Sequence, residues 1–160
     1  MIEVVPFEPQ YTESVVAVIL PIQQTEFGIP ISLEAQPDLL SIPAFYQRGN
    51  GNFWVALSDG QVVGTLALLD IGSSQSALRK MFVKAEYRGA EHRVAKQLLD
   101  TLVDWCRVQD VRQVYLGTTA KYLAAHRFYE KHGFHEIDRT RLPASFPIMT
   151  VDTKFYYLSL

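Results

Sequence analysis

The residues best suited to chemistry gather between positions 84 and 96. The run Lys84-Ala85-Glu86-Tyr87-Arg88-Gly89-Ala90-Glu91-His92-Arg93-Val94-Ala95 joins an apolar β-type stretch to an amphipathic helical one. A strand-to-helix turn holding Arg and Gly is where backbone N–H groups and the helix dipole can hold a phosphate. Arg88 and Arg93 can add charge-assisted hydrogen bonds to the same anion. Taken alone, the Arg-Gly pair reads as no more than a turn with solvated arginines. His126 has the intrinsic pKa of a base near neutrality, although a helical position of this kind reads first as surface. Cys106, His132 and His135 invite a metal. Yet His132 and His135 straddle the helix-stopping Gly133, Cys106 sits on a core helix face, and no pair has zinc spacing, so no metal site is expected. Trp54 and Trp105 read as packing residues.

The elements around these residues follow from periodicity. Residues 2–7 read as a strand, 12–24 as a helix that Thr12 caps, and 37–48 as a second helix with Pro in its first turn. Residues 53–57 and 61–69 are β-rich runs separated by Ser58-Asp59-Gly60, a strong hairpin signal because a type I′ turn needs two positive φ angles. Residues 77–83 supply another strand. From Val94 the period becomes helical: Val94, Leu98, Leu99, Leu102, Val103 and Cys106 share one face, opposite Lys96, Gln97, Asp100, Asp104 and Arg107. Residues 113–118 form a short buried strand, and 122–132 a helix ended by Gly133 at C′. Strands over 134–137 and 154–160 close the chain. The last, with Phe155-Tyr156-Tyr157, is open to two readings, a homodimer edge or an ordinary sheet strand.

The order β-α-α-β-β-β-α-β-α-β-β embeds one right-handed βαβ unit, residues 77–118, in a mostly antiparallel sheet. The expected class is a mixed α/β (α+β) domain with a central sheet flanked by helices, not a Rossmann fold. The chain of 160 residues is one domain's worth, read as a single unit over 1–160. With 48% apolar and 20% charged residues, it is neither disordered nor disulfide-stapled. Fifteen basic against 17 acidic residues give no basic surplus, so no nucleic-acid partner is expected. The lone Cys106 fits a reducing cytoplasm. The start MIEVVPFEPQ lacks a signal-peptide pattern, and the apolar run 15–22 is too short to span a bilayer, so no membrane partner is expected.

Two segments carry a family resemblance. Met81-Phe82-Val83, then Tyr87-Arg88-Gly89, then a helix with Leu98-Leu99 resembles motif A of the GNAT N-acetyltransferases. Ala124-Ala125-His126-Arg127-Phe128-Tyr129-Glu130-Lys131-His132-Gly133-Phe134 resembles that superfamily's later motif, Ala-x-x-Phe-Tyr-x-Lys-x-Gly-Phe. The match covers roughly residues 61–137, and the element order agrees throughout. The resemblance implies a GNAT fold and an acetyl-CoA-dependent transfer to a primary amine, by direct attack on the thioester and without metal. It implies that Met81, Phe82 and Val83 meet the pantetheine arm like an added strand. Arg88, Gly89, Arg93, Val94, Ala95 and Lys96 would hold the pyrophosphate. Leu116 to Thr119 would form the other wall of the cleft, with Thr118, Ala125 and Phe128 contacting the cofactor. Tyr129 would sit near the sulfur as general acid, the other reading being a core aromatic with a satisfied hydroxyl.

An alkyl amine with a pKa near 10.4 is neutral only about once in 10³ at pH 7, so a base is needed. Many relatives carry a Glu early in the fourth strand, which here reads Ala77-Leu78-Arg79-Lys80. Glu26 lies where the family builds its acceptor site and is the candidate base or amine-binding carboxylate. It hints at a small cationic amine as partner. There are two departures. The phosphate loop is longer than the family's Arg-Gly-x-Gly-x-Gly, with Arg93 where glycine is usual, and Tyr122 replaces a common asparagine. They leave a non-catalytic acyl-CoA-sensing domain, or transfer of a larger acyl group, as alternatives. Arg79, Lys80, Lys84, Arg88 and Arg93 read as one basic cluster around the phosphate site.

Overall fold

The computed structural model describes residues 1–89 and 91–160. Ala90, in the expected phosphate loop, lies outside the described residues. The β-branched and aromatic runs take up extended backbone, where such side chains pack well. They form β1 (Ile2–Pro6), β2 (Asn52–Ser58), β3 (Gln61–Gly72), β4 (Gln75–Val83), β5 (Gln113–Thr118), β6 (His135–Ile137) and β7 (Lys154–Ser159). Their order across one sheet is β1-β2-β3-β4-β5-β7-β6. Among the described residues only β4 and β5 run parallel, as the crossover reading requires. Asp59 and Gly60 have φ of 50° and 80°, the two positive angles of the expected hairpin turn.

Four helices flank the sheet: α1 (Thr12–Leu20), α2 (Ile42–Phe45), α3 (Val94–Val108) and α4 (Leu123–Lys131). Alternation along β2 shows how both faces are used. Trp54 and Ala56 join Leu98 and Leu102 of α3 in one core. Phe53, Val55 and Leu57 join Val15, Val18 and Ile19 of α1 in another. Cys106 is buried in the α3 core, and burial pushes its thiol up to about 12, so it is an inert packing group. No helix among the described residues is long and apolar enough to cross a membrane.

Four local expectations change. The helix expected over 12–24 is α only to Leu20, and Pro21–Glu26 continue as a π-helix in which Phe27 N donates to Ile22 O at 3.1 Å. Pro21 lacks an N–H and crowds the carbonyl one turn back, which widens the hydrogen-bond spacing. Thr12 does not cap α1, because its hydroxyl donates to Pro9 O at 2.8 Å. The helix expected over 37–48 splits into a 3₁₀ turn, Pro37–Leu40, and the short α2, since Pro43 cannot donate and disfavours helical backbone before it. Finally, β7 lies between β5 and β6, so at Phe155–Tyr157 both its edges are paired within the sheet, as the ordinary-strand reading has it.

The feature that shapes the site is the parting of β4 from β5. They pair only at Gln75–Ala77 with Gln113–Tyr115. Beyond that, β4 stays with β3 while β5 stays with β7, and a wedge opens. In the same stretch Thr65 pairs with Phe82 and Ala67 with Arg79, so Leu66 faces both Lys80 and Met81. This is a β-bulge, and Lys80 sits at φ 56°, an unfavourable angle for a residue with a Cβ.

A buried network holds it there. Thr65 Oγ1 donates to Lys80 O at 2.7 Å. Lys80 Nζ donates to Gln36 Oε1 and lies 3.8 Å from Asp38 Oδ2, with both side chains 6% exposed. Tyr46 Oη donates to Asp38 Oδ2 at 2.6 Å, while Gln23 and Gln36 exchange amide bonds of 3.1 and 2.9 Å. Burial pulls Lys80 down to about 8, and Asp38 resists the fall. Removing Lys80 leaves the buried Asp38 carboxylate without its ion-pair partner. Lys80→Met should therefore cost about 3 kcal/mol in urea unfolding, whereas a cost near zero would remove the network from its structural role.

Candidate active site

Where the strands part, a cleft of about 750 Å³ opens across the sheet. Met81, Phe82 and Val83 line it from β4 and Thr118 lines it from β5. Past Ala77 the cleft-side edge of β4 has no strand beside it, so an extended ligand arm can pair with its backbone. Ala125, Phe128 and Tyr129 close the cleft from α4.

The mouth is built by the start of α3. Gly89, Arg93, Val94, Ala95 and Lys96 line it. Arg93 is the N-cap residue at φ 54° and ψ 32°, and among the described residues no side chain caps the helix. The amides of Val94, Ala95 and Lys96 belong to the first turn, which has no carbonyls of its own to meet, and the helix dipole adds positive potential there. The left-handed angle at Arg93 explains why glycine is usual at this position: the backbone geometry is kept and the arginine bears the strain. Lys131 and His132 line the same mouth from the end of α4. Partial burial, then Lys96 and Lys131, lower the His132 pKa.

Arg88 is placed differently from expectation. Its guanidinium makes a two-pronged ion pair with Glu26, and its Nε donates to Val83 O at 2.8 Å. That clamp ties the π-helical loop to the end of β4, while Arg88 also lines the cleft beside Gly89. It also corrects the reading of Glu26, whose carboxylate is occupied and held below its ordinary pKa chiefly by the Arg88 hydrogen bond. A carboxylate so engaged is a poor base. Glu26 is not among the cleft-lining residues. His126 is no surface residue either. It is buried, with Nε2 2.9 Å from Thr119 O, so it braces the β5–α4 turn.

Tyr129 is 5% exposed, its ring 5.4 Å from Phe134 and 5.9 Å from Tyr156. Its hydroxyl has no hydrogen-bond partner among the described residues, and burial, with Tyr122 close by, drives its pKa well up. It is thus a protonated donor at the cleft. Tyr122, in place of the usual asparagine, packs edge-on against Phe27 at 4.9 Å and Phe82 at 6.1 Å, and burial pushes its hydroxyl up to about 12.

The single basic cluster read from sequence divides in two. Arg79 and Lys80 lie at the bulge, with the Arg79 guanidinium 5.8 Å from the ring centres of both Phe45 and Tyr46. Together with Asp152, a residue sequence reasoning did not single out, they line the far half of the cleft. The sequence signal for the bulge was two consecutive charges, Arg79-Lys80, interrupting an apolar strand. Asp152 carried no signal. Among the described residues no group of three or more His, Cys, Asp or Glu could hold a metal ion.

The parallel junction thus splays open beside the start of α3. The acetyltransferase (GNAT) family matches residues 17–134, and the chain belongs to that family. An acetyltransferase of the GNAT family from Staphylococcus aureus Mu50 superposes with a TM-score of 0.95 at 39% identity, over 99% of each chain. An acetyltransferase from Streptococcus agalactiae superposes at 0.94 and 30% identity, over 99% of this chain and 98% of that one. The N-acetylaspartate synthetase of Danio rerio is 36% identical over 105 residues, which is 64% of this chain and 36% of that protein. The chain thus spans about a third of the curated relatives it matches first.

The Arg93 geometry makes a direct prediction. Arg93→Gly should relieve the left-handed strain and raise stability by about 0.5–1 kcal/mol, and Arg93→Val should lower it by about 1–2 kcal/mol. Denaturant unfolding of both variants reads the sign.

Proposed function

We propose that this chain is an acetyl-CoA-dependent N-acetyltransferase that acetylates a primary amine. The observation that carries the reading is the unpaired inner edge of β4 running toward the uncapped start of α3, with the Tyr129 hydroxyl in the same cleft. The donor set fits the group. Met81, Phe82 and Val83 offer strand-like backbone to an amide-containing arm, and the first-turn amides of α3 with Arg93 and Lys96 suit a pyrophosphate. Acetyl-CoA supplies the acetyl group as a thioester already activated toward amines. The buried Cys106 is consistent with the cytoplasm as the proposed compartment.

The residues' own contribution is orientation, polarisation and proton handling. Backbone N–H groups at the bulged end of β4 can polarise a carbonyl laid against them. The cleft walls bring amine and thioester together, which by itself accounts for a large part of such accelerations. Tyr129 donates a hydrogen bond to the departing sulfur. Its raised pKa makes outright loss of its proton unfavourable, so a proton from the amine nitrogen must replace the one it passes on. The relatives' names add support, being those of acetyltransferases and of an N-acetylaspartate synthetase.

Titration calorimetry with acetyl-CoA should give saturable binding, and no heat at millimolar ligand would end this reading. With an accepted amine, Tyr129→Phe should lower kcat about 100-fold while leaving the KM for acetyl-CoA within a few-fold. Full activity in that variant would take Tyr129 out of the proton path.

A further inference from the structure

The acceptor half of the cleft holds an arginine and an aspartate that do not pair with each other. Arg79 lies on β4 immediately before the bulge. Its guanidinium is held against Phe45 and Tyr46, and its one hydrogen bond among the described residues is the weak contact of Nη2 with Met149 Sδ at 3.5 Å. It forms no ion pair among the described residues, although a guanidinium carries five donors. Asp152 approaches from the loop between β6 and β7. Its Oδ2 accepts from Met149 N at 2.9 Å, and no other hydrogen bond reaches the carboxylate among the described residues.

The sequence makes room for this carboxylate. A Cβ at Gly117 would lie 2.5 Å from Asp152 Oδ2 and 2.7 Å from its Cγ, so only glycine lets the loop lay Asp152 onto β5. One lip of the cleft therefore presents a cation and the other an anion. Burial raises the Asp152 pKa above its ordinary value, and the Met149 amide and then the Arg79 charge act against that rise. Lys80 on β4 and Arg139 from the loop also act on Asp152. Lys80, however, is committed to Gln36 and Asp38. Ile22, Ile29, Phe146 and Val151 complete an apolar surround in which unpaired charges are costly.

We propose that Arg79 and Asp152 form the acceptor subsite for an amine that also bears a carboxylate, an amino-acid-type acceptor, with Arg79 holding the carboxylate and Asp152 receiving the ammonium and its proton. The inference rests on the N-acetyltransferase reading and names its substrate class. The protons balance. The ammonium gives one proton to Asp152, which returns it to solvent. The freed nitrogen forms the C–N bond, the C–S bond breaks with its electron pair on sulfur, and the nitrogen's second proton ends on the thiol by way of Tyr129. The charge pattern also replaces the expectation of a simple cationic amine, because the Glu26 carboxylate that prompted it is neutralised by Arg88.

The test uses matched pairs that differ only in the α-carboxylate: L-phenylalanine with phenethylamine, L-leucine with isoamylamine, and L-glutamate with 4-aminobutyrate. Thiol release from acetyl-CoA is followed for each, and calorimetry reads binding of the amino acids to the CoA-loaded protein. In at least one pair the carboxylated member should be favoured in kcat/KM by about 30-fold or more, as a charge-assisted bidentate contact implies. Arg79→Gln should collapse that ratio toward one, and Arg79→Lys should restore part of it. Asp152→Asn should lower kcat about 100-fold on the favoured acceptor. The proposal is overturned if the decarboxylated members are equal or better in every pair, if none of the amino acids binds or reacts, or if Arg79→Gln lowers both members equally. Failure of acetyl-CoA itself to bind would instead defeat the N-acetyltransferase reading.

Discussion

The separation of β4 from β5 after three paired residues is the constraint on which the rest of the structure depends. Parallel neighbours in a sheet ordinarily stay together, because every backbone group they expose must find another partner. Here the bulge at Lys80 turns β4 away, and the Lys80–Gln36–Asp38–Tyr46 network keeps the bulge in place from the opposite face. The result is an open backbone edge inside the molecule, against which an extended ligand can complete the sheet. A single strained lysine thus links the α1–α2 loops, the shape of the cleft and the position of Arg79.

Charge is distributed along the cleft in a way that net charge conceals. The overall balance of −2 says nothing of a mouth set for anions by the α3 start, or of an inner half with Arg79 and Asp152 on opposite lips. Arg88 shows why position outranks type. It stands in the motif where a phosphate ligand was expected, yet its hydrogen bonds go to Glu26 and to Val83 O. Those bonds fasten the π-helical loop to the end of β4.

Much of the fold was legible from the sequence, because the signals were local. Asp59-Gly60, the face of α3 from Val94 to Cys106, and Gly133 at φ 92° each act through neighbouring residues. What could not be read was set at long range or by proline. Pro21 and Pro43 broke helices that periodicity alone would continue. The burial of His126, the capture of Glu26 by a residue 62 positions away, and the laying of Asp152 over Gly117 depend on tertiary contacts with no sequence spacing. The motif segments at residues 81–83 and 93–96 were therefore legible beforehand as cleft-lining positions, while the facing of Arg79 and Asp152 emerged only from the folded chain.

Backbone amide hydrogen exchange, with and without acetyl-CoA, tests the central claim most directly. If the parted strands and the start of α3 form one binding surface, acetyl-CoA should slow exchange together at residues 81–83 and 94–96, while β1 and β2 stay unchanged. Saturating acetyl-CoA that leaves both segments exchanging as in the free protein would contradict it.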